Sequence, residues 1–232
     1  MKYQRIHLEV LSGSALLGEE RFALARGERE LLLALALHRR GIGTERVTEL
    51  LWPQIAAPIG RNRLYVALHR LRRRFGGDLL ARDGGSYRLD DARVRVDLWN
   101  FAELWEIPEH HASEELVAQL ESATNAAALY EIPEWLAPTY RRLEEFAQAV
   151  RTTLAERALG AGEIDRSVRL ARRALAFDEC DERAWSVLIR SHLVARDRLG
   201  ALRDYRTYSR ALMRELQATP AYEIAHLLDR AR

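Results

Sequence analysis

The sequence predicts a mainly helical chain with a small amount of β structure, in two domains. Residues 1–96 read as strands, three helices and a closing hairpin; residues 97–232 read as an all-helical repeat domain. Three observations predict this. Residues 61–76, RNRLYVALHRLRRRFG, put leucines on one face of a helix and arginines on the other. Short alternating segments with turn signals bracket the helices of the first half. In the second half a 34-residue offset pairs Leu154 with Leu188, Leu159 with Leu193, Val168 with Leu202 and Ala171 with Tyr205. That is the spacing of helix pairs stacked into a tetratricopeptide-like solenoid.

The elements follow in order. Residues 4–10 alternate weakly, and Ala15–Leu17 and Arg21–Leu24 are short apolar pieces split by Gly18-Glu19-Glu20, so a small antiparallel sheet is expected. Glu28 to Arg40 reads as a helix, with Leu31, Leu32, Leu35 and Leu37 apolar and Gly41 as its stop. Thr44 is placed to cap the next helix, which carries Val47, Leu50 and Leu51 inward and ends at Trp52-Pro53. Gln54 to Gly60 holds Pro58 and Gly60 and reads as a loop. The Arg61 helix comes third, followed by strand, turn and strand over Leu79–Leu89, with Asp83-Gly84-Gly85-Ser86 as the turn. Val94 to Leu98 continues the alternation, and Asp97–Phe101 is expected to join and dock the domains.

Three helices and a closing hairpin make a winged helix. The third helix of that arrangement meets the DNA major groove. Leu64, Leu68, Leu71 and Phe75 share one stripe at about 100° per residue, and Asn62, Val66, His69, Arg70 and Arg73 lie opposite, flanked by Arg61, Arg63 and Arg72. Arginine holds phosphate or reads guanine bidentately, asparagine reads adenine, and a small apolar side chain packs on a thymine methyl. Arg82 and Arg88 carry the charge of the hairpin. A merely solvated amphipathic helix is the competing reading of the stretch taken alone, and its position in the element order argues against that.

Charge distribution agrees. Residues 1–96 hold 18 basic and 11 acidic side chains, a net of +7; the remainder hold 18 and 23, a net of −5. A polyanion-binding half joined to a different half is expected. Lys2 is the sole lysine, which excludes a phosphate-loop lysine or a Schiff-base lysine. Cys180 is the only cysteine, so no internal disulfide can form. No apolar run approaches the ~20 residues of a membrane span. A cytoplasmic protein without cofactor or metal is expected.

The residues VTELLWP, RNRLYVALHRLRRRFG, LLARDGGSYRL and VRVDLW resemble the OmpR-type winged-helix domain of the Streptomyces antibiotic regulatory protein family. The segment ARRALAFDECDERAWSVLIRSHLVARDRLGALRDYRTYSRALMREL, with TPAYEIAHLL, is similar to the bacterial transcriptional activator domain that follows it in that family. Gln54, Asp83 and Gln217 depart from the usual family residues. The resemblance implies a DNA-binding activator of transcription. It implies binding to direct repeats of double-stranded DNA as head-to-tail dimers or pairs, and recruitment of RNA polymerase through its sigma factor. It also implies that the loop opening at Trp52, Pro53, Gln54 and Ile55 faces the polymerase. Because the strands begin near Met1, no aspartate-phosphorylated receiver domain is expected.

Other constellations are weaker. His110-His111 has no ligand spacing for a metal, since adjacent helical residues diverge. Gly41-Ile42-Gly43 lacks the third glycine of a dinucleotide loop and follows a helix. Trp99, Trp105, Trp135 and Trp185 suit packing better than ligand stacking. The alternative function is a repeat-based protein-interaction adaptor carrying a vestigial winged helix. An enzyme is the least supported class, for want of a nucleophile, metal or phosphate motif.

Overall fold

A computed structural model describes residues 5–17, 19–105, 111–128 and 132–229. The chain divides into two compact units, Met1–Trp105 with Ser122–Tyr140, and Glu106–Glu121 with Arg141–Arg232. His110 lies outside the described residues.

The first unit opens with β1 (Ile6–Glu9), β2 (Ser14–Leu17) and β3 (Glu20–Ala23). They form an antiparallel meander. The small antiparallel sheet expected here is present, and at its other edge β7 (Val94–Val96) pairs with β1 in parallel. That pairing needs a long crossover, and the three helices and the hairpin supply it. The helices are α1 (Arg26–Leu37), α2 (Thr44–Leu51) and α3 (Ala57–Phe75). A second sheet of order β4-β6-β5 joins β4 (Ile42–Gly43) to the hairpin of β5 (Leu80–Asp83) and β6 (Ser86–Leu89). Leu31, Leu32, Leu33 and Leu35 of α1 are all buried. Leu37, the last residue of the helix, is exposed.

Three local expectations are corrected. Thr44 is the first helical residue, not the cap; Gly43 caps α2, and the Thr44 hydroxyl donates to the Gly85 carbonyl at 3.4 Å. The segment through Pro58 and Gly60 is not all loop, because α3 begins at Ala57. Proline is tolerated in a first helical turn, where its missing N–H has no partner to lose. Gly60 is buried there, and a Cβ on it would sit 3.3 Å from the Thr48 Cβ, so its small size serves helix packing. The strand expected through Leu98 stops at Val96, where α4 (Asp97–Leu104) starts.

Asp97 turns the chain from strand to helix. Its carboxylate accepts from the Val10 and Leu11 amides, both at 3.2 Å, and from the Leu98 amide at 2.8 Å. The same two peptide units are held by their carbonyls. Arg29 Nε donates to the Val10 carbonyl at 2.9 Å and its Nη2 donates to the Leu11 carbonyl and, at 2.6 Å, to the Tyr140 hydroxyl. Trp99 Nε1 donates to the Ala36 carbonyl at 2.9 Å.

Burial pushes the Asp97 carboxyl up to about 7, against the pull of its three N–H donors. The folded chain therefore keeps a proton that the unfolded chain has already lost above about pH 4. Stability from this group is complete below about pH 4 and is lost as pH rises to about 7. Melts of the protein beside Asp97→Asn should show the wild-type margin shrinking over that window. A constant margin from pH 4 to pH 7 would sink this account.

In the second unit, α7 (Ile164–Leu175) packs on α8 (Glu182–Val194) and α8 on α9 (Arg198–Leu216), and the later turns of α6 (Ala137–Gly160) meet α7 where the Ser167 hydroxyl donates to the Ala155 carbonyl at 2.9 Å. α5 (Glu114–Ala128) precedes them and α10 (Tyr222–Asp229) follows. Three of the four pairs at the 34-residue offset match in burial: Leu154 and Leu188 are buried, and Leu159 with Leu193 and Val168 with Leu202 are half-buried, whereas Ala171 is buried and Tyr205 half-buried. Asp181 and Asp197 cap α8 and α9 through the amides of Ala184 and Gly200. Trp185 stacks on Tyr208 at 5.7 Å, as expected of a packing tryptophan. Gln217, at the position the family gives to glycine, ends α9 in the left-handed conformation, φ 52°.

Candidate nucleic-acid interface

α3 positions the candidate side chains. Leu64, Leu68, Leu71 and Phe75 are buried, which fixes the rotation of the helix about its axis. Arg61, Asn62, Arg63, Val66, His69, Arg70 and Arg73 are consequently exposed, and Arg72 is half-buried at the margin. None of these arginines has a carboxylate partner among the described residues. Arg74 contrasts with them. It donates to Glu28 at 2.7 Å and to the Ala23 carbonyl at 2.9 Å, and lies against the rings of Phe22 and Phe75. One helix thus spends Arg74 on the fold and leaves Arg61, Arg63, Arg70 and Arg73 to solvent. Guanidiniums without a carboxylate on one face create a local positive field, the footprint expected of phosphate binding.

Asn62, Arg63, Val66 and Arg70 also line a groove of about 410 Å³, closed by Trp52 and the first turn of α1. Trp52 therefore faces the same groove as Asn62 and Arg63. Pro53 and Gln54 are exposed and Ile55 is half-buried in the turn between α2 and α3.

Tyr65 is the residue that sequence reasoning missed. It is 49% exposed on the flank of α3 that also carries Arg61 and Arg72. The signal was available, because a tyrosine well off the leucine stripe has no core to enter. Its ring can stack on a base and its hydroxyl can donate to phosphate.

The hairpin turns through Gly84 and Gly85, φ 53° and 91°. Two successive positive φ angles define the turn whose twist matches paired strands, and glycine meets that need without strain. Arg82 is exposed, with its guanidinium 5.6 Å from the centre of the Tyr87 ring. Because Tyr87 is buried, this stacking gives Arg82 a fixed support. Arg88 is half-buried opposite Ala81. The Thr44 bond to Gly85 ties the turn to the start of α2.

Residues 96–232 match the family model described as the bacterial transcriptional activator domain. No curated protein matches the sequence. Among solved structures, Mycobacterium tuberculosis EmbR in complex with a low-affinity phosphopeptide is similar over 100% of this chain, with a TM-score of 0.74 and 21% identity. This chain spans 65% of the length of that one. The likeness gives the fold: an OmpR-type winged helix followed by helical repeats.

Proposed function

Because the chain belongs to the bacterial transcriptional activator domain family, we propose that it is a sequence-specific, DNA-binding regulator of transcription, and an activator. Residues 1–96 form the DNA-binding domain and residues 97–232 the activator domain. The observation that carries this reading is the outward face of α3, whose arginines have no carboxylate partner among the described residues, beside a wing with a supported arginine. A vestigial winged helix would have no use for them. The family is not one of enzymes. No helix of the described residues is long and apolar enough to cross a membrane, and we place the protein in the cytoplasm.

On this reading α3 enters the major groove of direct-repeat DNA, bound by head-to-tail dimers or pairs. Asn62, Val66 and Arg73 read bases from the centre of the face, while Arg63, Arg70 and Arg72 hold phosphates from its margins. Arg82 and Arg88 reach the neighbouring backbone or minor groove. The segment from Trp52 to Gly60, made of the turn before α3 and the first turn of that helix, meets the sigma factor of RNA polymerase, and run-off transcription with purified polymerase checks that step.

Arg73→Ala should cost ~1–3 kcal/mol on the preferred site and relax preference at one base position. Arg72→Ala should instead weaken all sequences alike and lower the salt slope by about one. The measurement is binding to a randomised duplex library, with thermal melts as the folding control. If Arg73→Ala melts normally and keeps full affinity and preference, the face does not read DNA and the adaptor reading takes over.

A further inference from the structure

Many arginines of the second unit are paired. Arg151 meets Glu121 at 2.9 Å, Arg166 meets Glu163 at 2.6 Å, Arg183 meets Glu156 at 2.8 Å, and Arg214 pairs with Glu179 and Glu215. The outward face of α9 breaks that pattern. Arg203, Arg206 and Arg210 are exposed and fall within about 60° of one another around the helix. None is within ion-pair distance of a carboxylate among the described residues. Two of them fold back on their own helix, Arg203 Nε towards the Leu199 carbonyl at 3.4 Å and Arg210 Nε towards the Arg206 carbonyl at 3.3 Å.

No acid shares their stripe. Asp197 and Asp204 lie within electrostatic reach of Arg203, but both carboxylates are turned to His192, at 3.1 Å from its Nδ1 and Nε2. Arg172 of α7 is exposed and lies within electrostatic reach of the same Asp204, adding a cation to this side. The half of the chain that carries this stripe is net acidic, at −5, so the stripe is not a by-product of composition.

We propose that the outward face of α9 is a second DNA-backbone site, separate from α3. It rests on the DNA-regulator reading above. Residues 203–210 span about 10.5 Å of helix, the axial length of about three phosphates on one strand. Guanidinium forks suit phosphate oxygens and carry no base preference from such a position. The core of a protein–protein interface is depleted of lysine and acids, and the arginine it does carry sits among aromatic and apolar side chains. Here charge holds the centre, and the exposed apolar side chains, Leu199 at 73% and Met213 at 52%, lie at the ends. That arrangement favours a polyanion over an acidic protein surface.

The test uses the full chain and random-sequence duplex DNA, with binding measured by fluorescence anisotropy across a salt series. Arg203→Gln, Arg206→Gln and Arg210→Gln together should lower the salt slope by about two to three, at roughly 0.9 for each phosphate no longer neutralised. The residues are exposed, so melts should match the wild type. In a chain whose α3 is disabled by Arg63→Ala, Arg70→Ala and Arg73→Ala, weak low-salt binding should persist and vanish on adding the three glutamine changes. An unchanged slope in the glutamine variant, with the wild type binding normally, overturns this site alone and leaves the stripe to an acidic protein partner. A wild type with no salt-sensitive binding overturns the regulator reading and this site together.

Discussion

Replacing Arg29 with methionine is expected to destabilise the protein by about 2–4 kcal/mol, the range for losing more than one charge-assisted hydrogen bond in a buried setting. Methionine keeps most of the apolar stem, so the loss isolates the guanidinium. Arg29 is 8% exposed and donates to the Val10 and Leu11 carbonyls and to the Tyr140 hydroxyl. Removing it leaves the Val10 carbonyl buried without that donor, while Tyr140 still donates to the Leu11 carbonyl at 3.2 Å. Two terms oppose each other. Releasing a cation from burial is favourable, but orphaning buried acceptors costs more when the partners stay in place. Tyr140→Phe should therefore cost clearly less, about 1 kcal/mol, because the Arg29 bonds to the two carbonyls survive it. Denaturant unfolding of both variants decides it. Equal stability for Arg29→Met and wild type would show that the desolvation term wins.

Leu68→Ala should cost ~2–5 kcal/mol, the range for emptying a leucine-sized space in a packed core. Leu68 is 1% exposed, with Leu64 and Leu71 beside it on the buried stripe of α3. The loss is also functional at one remove. The rotation of α3 is fixed largely by that stripe, so a loosened core blurs the direction in which Asn62 and Arg73 point. At a temperature where the variant remains folded, its DNA preference should be flatter than that of wild type while its salt slope is unchanged, since the number of guanidiniums is the same. A variant that melts within 1 kcal/mol of wild type, taking ~1 kcal/mol as the lower edge of core effects, contradicts the packing argument.

The division of labour between sequence and fold can be traced residue by residue. Periodicity and backbone chemistry are written locally. The leucine stripe of α3, with four buried residues at helical spacing, settled both the helix and its exposed basic face. Gly84 and Gly85 settled the hairpin turn, and the 34-residue offset settled the paired helices of the second unit. Each of these depends on residues near in sequence or on a repeated pattern.

Where sequence-distant groups meet follows from packing alone. No sequence pattern marks Arg29, because its partners lie 18, 19 and 111 positions away. Asp97 read as the last polar residue of a strand, and only the approach of the Val10 and Leu11 amides makes it the point where strand becomes helix. Pro58 and Gly60 are loop residues by propensity; packing of Gly60 on Thr48 made them the first turns of α3. The parallel pairing of β7 with β1 spans about the whole first domain and has no local signature. Which arginines are spent on the fold was likewise invisible. Arg73 and Arg74 are neighbours in sequence, yet Glu28 reaches Arg74 and leaves Arg73 in solvent, because they point about 100° apart around the helix.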